Sequence, residues 1–270
     1  MNGQAALAVL RAERHVSISA ITCYLTCPRQ HEHRYILRTP PSHCAGALAF
    51  GTAIHAALAI FYRRAMEGQV EPTAEELETV FAEAWHRELE GTIPVLFDNG
   101  ETEDSALDKG LALVQVFHAQ AERHHKVVAV EEPFSVEIAH PTTGEVFPER
   151  LVGVLDAVVQ DVDGSYQILE HKSAARRWTE ARLTNDLQLS AYTLAAPLIG
   201  LGPAALTVQL FVKTKSPTLE LLHPARTDHD RLDLMHVITG VLAAVEAGAF
   251  FPRRDWQCKS CPYSGPCIAG

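Results

Sequence analysis

The chain has 270 residues, 47% of them hydrophobic, which allows one large domain or two small ones. A net charge of −10 speaks against a generic nucleic-acid binder, and no run of 18 apolar residues marks a membrane span. The acidity is local: residues 71–108 carry 12 of the 33 acids and one base, Arg87, which leaves 21 acids against 22 bases elsewhere and room for a basic cleft.

The opening stretch, residues 1–19, is apolar only briefly and has no basic region before it. It reads as a fraying tail and not as a signal peptide. A cytoplasmic chain is therefore expected, in which six cysteines serve a metal or cluster and not disulfides. Ser19 is placed to cap a helix through AITCYLTCPRQHEHRYIL, which Pro28 kinks or breaks. Residues 47–125 read as helical, with Thr73 and an acidic first turn opening one helix. Three strands follow, KVVAVEEPFSVEI, RLVGVLDAVVQ and SYQILEHKS, the last two joined by a turn at 162–164. Residues 179–199 show one stripe of Leu183, Leu187, Ala191, Leu194 and Leu198 and read as a single helix. A fourth strand, ALTVQLFVKT, a last helix and a cysteine tail complete the chain. The order predicts one α/β domain with a helical insertion.

Asp156, Glu170 and Lys172 sit inside apolar strand sequence, where a charge is costly unless paired or bound to a metal. A two-residue turn at Asp163-Gly164 would set Asp156 opposite His171. A three-residue loop, with Gly164 left-handed in a bulge, sets it opposite Glu170 and places Asp156, Glu170 and Lys172 on one face with Val154, Val158 and Ile168. Two carboxylates there make a hard oxygen site for Mg²⁺ or Mn²⁺, and Lys172 would orient a water or stabilise developing charge. The alternative is a structural ion pair. His55, on an apolar helix face, is either a satisfied core residue or a ligand. Gln188 and Tyr192, four apart, share one helix face.

SISAITCYLTCPRQHEHRYI, GTAIH, GVLD, EHK, QLSAY and CKSCPYSGPC together resemble the RecB-type branch of the PD-(D/E)xK nucleases. The resemblance is to members with an iron–sulfur cluster, such as the AddB C-terminal nuclease domain and the CRISPR-associated adaptation nuclease. It runs from about residue 17 to residue 267. Leu155 stands where the family pattern has proline. The resemblance implies a mixed central sheet flanked by helices, with a restriction-endonuclease-like core. It also implies His55, Asp156, Glu170 and the carbonyl of His171 as metal ligands, and Lys172 as the catalytic lysine. Gln188 and Tyr192 would belong to the active site. Cys27, 231 residues before Cys258, would join Cys258, Cys261 and Cys267 around a [4Fe–4S] cluster. Four thiolates also suit zinc, and Cys23 rivals Cys27 as the fourth ligand.

The expected layout is one nuclease domain over 1–270, with a cluster-linked helix at 17–46, a helical region at 47–125, a catalytic core at 126–225 and a C-terminal helix and tail at 226–270. The expected activity is exonucleolytic, on single-stranded DNA or DNA ends, in repair, recombination or CRISPR adaptation. Arg176, Arg177 and Trp178 are expected to contact DNA, as are Arg29, His31, His33, Arg34, Lys213 and Lys215. No ATP-binding loop is present in this chain, so a motor would come from a helicase partner. The rival readings are a catalytically inactive DNA-binding or scaffold subunit, and a zinc-stabilised hydrolase of small molecules.

Overall fold

The computed structural model describes residues 3–98, 100–123 and 126–269. The chain opens with α1 (Gly3–Ala12), β1 (His15–Val16), α2 (Ile18–Thr26), α3 (Pro28–His31) and a π-helical turn at Glu32–Ile36. Then come β2 (Cys44–Ala45), α4 (Gly46–Met66), α5 (Ala74–Leu89), β3 (Val95–Leu96) and α6 (Glu103–Gln120). The main strands are β4 (Lys126–Ala139), β5 (Val146–Gln160) and β6 (Tyr166–Ala174), followed by α7 (Glu180–Thr184) and α8 (Leu187–Leu198). β7 (Ala204–Val212), β8 (Thr218–Leu222), α9 (Asp228–Glu246), a 3₁₀ turn at Trp256–Ser260 and α10 (Ser264–Ala269) end it.

Local sequence explains most boundaries. Thr73 and Glu76 form a reciprocal capping box at the start of α5, and Thr227 and Asp230 form another on α9. Each cap is worth about 1 kcal/mol. Ser17, not Ser19, caps α2 by accepting from Ala20 N–H. Pro28 does break the helix, since it opens α3 at a position where its missing N–H costs nothing.

From Gly3 on, the expected tail is instead helix and strand: α1 leads into β1, which pairs in parallel with β5 at His15–Arg150 and Val16–Leu151. The expected long helix at 179–199 is two helices, because the Asp186 side chain accepts from the N–H groups of Gln188 and Leu189 and starts α8 afresh. Its buried apolar residues are Leu189, Ala191, Tyr192, Ala195 and Ala196, so Ala191 of the expected stripe is buried while Leu198 is exposed. His124 and His125, at the end of the expected helical region 47–125, lie outside the described residues. β8 is an additional strand, antiparallel to β7.

The central sheet is mixed, in the order β1-β5-β6-β7-β8, with β4 also on β5. Helices cover both faces, as the resemblance implies. α2, α8 and α9 pack on one face around Ile21, Tyr192 and Ile238; α4, α5 and α6 pack on the other around Phe50, Phe81 and Trp85. Among the described residues α4 is the helix long and apolar enough to cross a membrane, but ten of its residues are buried, eight of them in this core.

The strand pairing opens the site. β4 runs along one edge of β5 from Val146 to Gln160. The other edge is divided: β1 takes residues 150–151, and β6 takes residues 157–160. Residues 152–156 therefore have no strand partner on that edge. β6 is in the same position beyond Leu169, where only β7 pairs with it. The β5–β6 ladder thus ends at Ala157–Leu169, just short of Asp156 and Glu170.

Candidate active site

The hairpin joining β5 to β6 sets the register. Asp161 N–H donates to Ser165 O at 2.9 Å, Gly164 N–H donates to Asp161 O at 3.0 Å, and Gly164 has φ +88°. This is the three-residue loop with a left-handed glycine, and the pairs Ala157–Leu169 and Val158–Ile168 carry it forward to place Asp156 opposite Glu170. At that point the ladder is replaced by a side chain: Asp156 Oδ2 accepts from His171 N–H at 2.8 Å.

Four elements converge there. α4 brings His55, whose Nδ1 is 3.3 Å from Asp156 Oδ1. β6 brings Glu170, paired through Oε1 with Lys172 Nζ. α8 brings Gln188, whose Oε1 accepts from Lys172 Nζ at 2.6 Å. It also brings Tyr192, whose hydroxyl lies 2.5 Å from Glu170 Oε2 and 2.9 Å from the Val154 carbonyl, and accepts from Gln188 Nε2 at 2.5 Å. The hydroxyl has one proton, so it serves Glu170 and Val154 alternately. Val154 lies on the open edge of β5, and its carbonyl finds a side-chain donor where a strand would have supplied one. Phe134, edge-on to Tyr192 at 6.1 Å, fits because its pairing partner is Gly153.

Electrostatics separate the two carboxylates. Burial works against ionisation of Asp156, but His55 and the His171 N–H outweigh it and hold the carboxyl well below the usual range. Burial and the neighbouring Asp156 push Glu170 up, with Lys172 and Tyr192 offsetting part of the rise. Burial opposes the charge on Lys172, yet Glu170 carries its pKa above the ordinary value. Burial likewise opposes charge on His55, and Asp156 reverses the balance upward. The His171 ring is buried, stacked on Tyr62 at 5.4 Å, and its pKa is lowered to about 4 by that burial. It is a neutral core group, so its backbone is the part that faces the site.

Asp156, Gln188 and Tyr192 line a cleft of about 530 Å³, and Lys172, Gln188, Trp178 and Arg182 line an adjoining one of about 740 Å³. Ile18, Ser19, Arg34 and Gln188 belong to both. Arg34 thus stands in the cleft as expected, and the expected neighbours divide. The Trp178 ring is covered by the Arg182 guanidinium at 4.5 Å, so Arg182 presents the polar surface. Arg177 pairs with Glu220 at 2.6 Å, and Arg176 and Arg177 are exposed outside the cleft lining. His31 and His33 are buried in aromatic stacks, Arg29 pairs with Glu32 at 2.6 Å, and Lys213 is only 6% exposed above the Phe50 ring. Arg11 and Arg182 also line the cleft, and sequence reading had no signal for either.

Cys27, Cys258, Cys261 and Cys267 line one cavity of about 120 Å³. Cys23 lines the neighbouring cleft instead, with its pKa raised to about 11 by burial. All six cysteines are free.

A family model described as the PD-(D/E)XK nuclease superfamily matches residues 15–268. The chain belongs to this superfamily. A solved structure named "Putative exonuclease", from Eubacterium rectale, is 11% identical with a TM-score of 0.55, covering 100% of this chain and 90% of that one. At this identity the likeness is one of fold. A second, named "SSO0001", is 13% identical with a TM-score of 0.37 over 89% of this chain and 92% of that one, and no argument rests on it. Comparison with curated proteins gives no match.

Nucleases of this superfamily generally use Mg²⁺ or Mn²⁺. Among the described residues no three histidine, cysteine or acidic side chains converge as a metal-holding group. The reason at this site is visible: each carboxylate oxygen is turned to a protein partner, Asp156 to His55 and His171 N–H, and Glu170 to Lys172 and Tyr192. The donor chemistry of two carboxylates, an imidazole and a carbonyl still suits a hard divalent cation.

Proposed function

We propose that the chain is a metal-dependent deoxyribonuclease acting on single-stranded DNA or DNA ends, most simply as an exonuclease. The observation that carries this reading is the gap on the β5 edge, where Asp156, Glu170 and Lys172 meet beside Gln188 and Tyr192. A structural ion pair needs no cleft and no second carboxylate beside it. The scaffold-subunit alternative leaves the full set of groups without a purpose.

His55, Asp156, Glu170 and the His171 carbonyl would hold the cation, which when bound lowers the pKa of a water and polarises the scissile phosphodiester. The protein's own groups do the rest. Asp156 stays ionised through His55 and the His171 amide. Gln188 and Glu170 fix the Lys172 ammonium from two sides, so its charge is held beside the site where negative charge develops. Tyr192 fixes Glu170 from behind. Arg34 and Arg182 provide phosphate contacts along the cleft.

The whole of 1–270 is read as one nuclease domain in a cytoplasmic setting, with the ends held by a [4Fe–4S] cluster on Cys27, Cys258, Cys261 and Cys267. Support comes from the shared cavity of those four cysteines, which leaves Cys23 outside. Repair, recombination or CRISPR adaptation would use such an activity, alongside a helicase or another protein of those systems. The test is Mn²⁺-dependent degradation of end-labelled single-stranded DNA. Lys172→Ala should abolish it and Arg176→Ala should not; equal rates would refute the assignment. Oxygen-free purification with iron and sulfide analysis should give about four irons per chain, and one zinc would remove the cluster from the reading.

A further inference from the structure

The segment after α9 carries features that the catalytic site does not use. Trp256 is 77% exposed and Phe251 58% exposed. Singly, exposed apolar side chains mean little. Here the backbone that presents them is pinned. Asp255 accepts from Trp256 N–H at 2.8 Å, Gln257 Nε2 donates to Arg253 O at 2.7 Å, and Cys258 N–H donates to Asp255 O at 3.0 Å. Arg253, Arg254 and Lys259 lie in the same nine residues, against one acid, Asp255, in a chain of net charge −10. Aromatic faces interleaved with guanidinium groups on an ordered backbone are what unpaired nucleic acid binds.

Position supplies the second argument. Leu25, Thr26 and Gln30 line the active-site cleft. Arg253 Nη1 donates to Leu25 O at 3.1 Å, and Gln257 Nε2 reaches Thr26 O at 3.5 Å. Gln30 also lines the cysteine cavity, together with Arg253 and Arg254. The terminal segment therefore continues the cleft past the end of α2.

We infer that residues 251–259 form a single-stranded DNA track outside the cleft, with Trp256 stacking on a base and Arg253 and Arg254 contacting phosphates. The inference rests on the nuclease reading above and extends its substrate contacts beyond the catalytic groups. The track gives affinity to strands long enough to reach past α2 and none to shorter ones.

The test is binding of labelled oligothymidylates of about 5 and about 15 nucleotides, spanning usual single-strand site sizes, to the full chain without divalent metal. Trp256→Ala should weaken the longer oligonucleotide by about 5- to 150-fold, the range for one stacked base, and leave the shorter unchanged. Trp256→Phe should restore most of the loss. Arg254→Ala should lower the salt slope for the longer one by about 0.7. Equal affinity of wild type and Trp256→Ala for the longer strand would overturn the track and leave the face to a protein partner. A changed visible spectrum in Arg254→Ala with an unchanged salt slope would assign that arginine to the cysteines and overturn its part. With Mn²⁺ then added, wild-type protein that cuts neither strand would overturn the nuclease reading itself, whereas cleavage with no length effect would overturn the track alone.

Discussion

Gly153→Ala tests whether the unpaired edge of β5 sets the catalytic geometry. A Cβ at Gly153 would lie 2.4 Å from Cζ and 2.6 Å from Cε1 of Phe134. Carbon atoms rest at about 3.5–4.0 Å, so the ring must retreat by roughly 1 Å or more. Overpacking of this kind costs about 1–3 kcal/mol. The usual gain of about 0.5–1 kcal/mol for removing a strand glycine offsets part of it. The net loss of about 0–2.5 kcal/mol corresponds to a melting temperature lower by up to about 10 °C in a chain of this size. Phe134 lies edge-on to Tyr192, which holds Glu170, so activity should fall further than stability. Thermal melting and single-strand degradation are measured on the same preparation, at a temperature where the variant is fully folded. Phe134→Leu in the same chain should recover both by vacating the ring's space. A Gly153→Ala protein with wild-type melting and wild-type rate would refute the link from Gly153 through Phe134 to Tyr192.

Tyr192→Phe should cost about 1–3 kcal/mol by leaving the Val154 carbonyl and Gln188 amide without their partner; urea titration measures it, and its cleavage rate should drop at unchanged substrate affinity. Gly164→Ala meets nothing within 4 Å, so only the positive φ matters, at about 1–2 kcal/mol; a larger loss in urea would mean that the loop also holds the strand register by contacts. Lys213→Met should leave stability equal or higher in thermal melting, because Glu101 keeps Lys109 at 2.9 Å and a buried ammonium is removed. His55→Ala should raise the Mn²⁺ concentration for half-maximal cleavage, read by metal titration; an unchanged midpoint would remove His55 from the ligand set.

The catalytic hairpin was legible only in part. Residues 162–164 allow a two-residue or a three-residue loop, and the structure has the longer one, which sets Asp156 opposite Glu170. The start of α5 at Thr73 was legible from its cap and acidic first turn. Features that depend on distant packing were not. β1 is a strand because two residues find the edge of β5, and β8 because five residues find β7. Lys213 looks like a surface base in sequence and is enclosed by α4 and the loop carrying Glu101. The break at Asp186 was readable as a cap but was outweighed by the leucine stripe on either side. Asp156 was expected opposite Glu170 in a continuing pair of strands, whereas its carboxylate accepts the His171 N–H just where the β5–β6 pairing has ended.

The docking of α2 also imposes an order of events during synthesis. Tyr24 OH donates to Ala249 O, 225 residues later, at 2.7 Å, and Arg29 N–H donates to Phe251 O at 3.1 Å. At a translation rate of about 5–20 residues per second, α2 waits roughly 10–45 s for these partners. The β5–β6 hairpin, with its carboxylates and lysine, emerges well before that wall is secured. A chain still being made thus carries the chemical groups of the hairpin before the contacts that secure α2 can form.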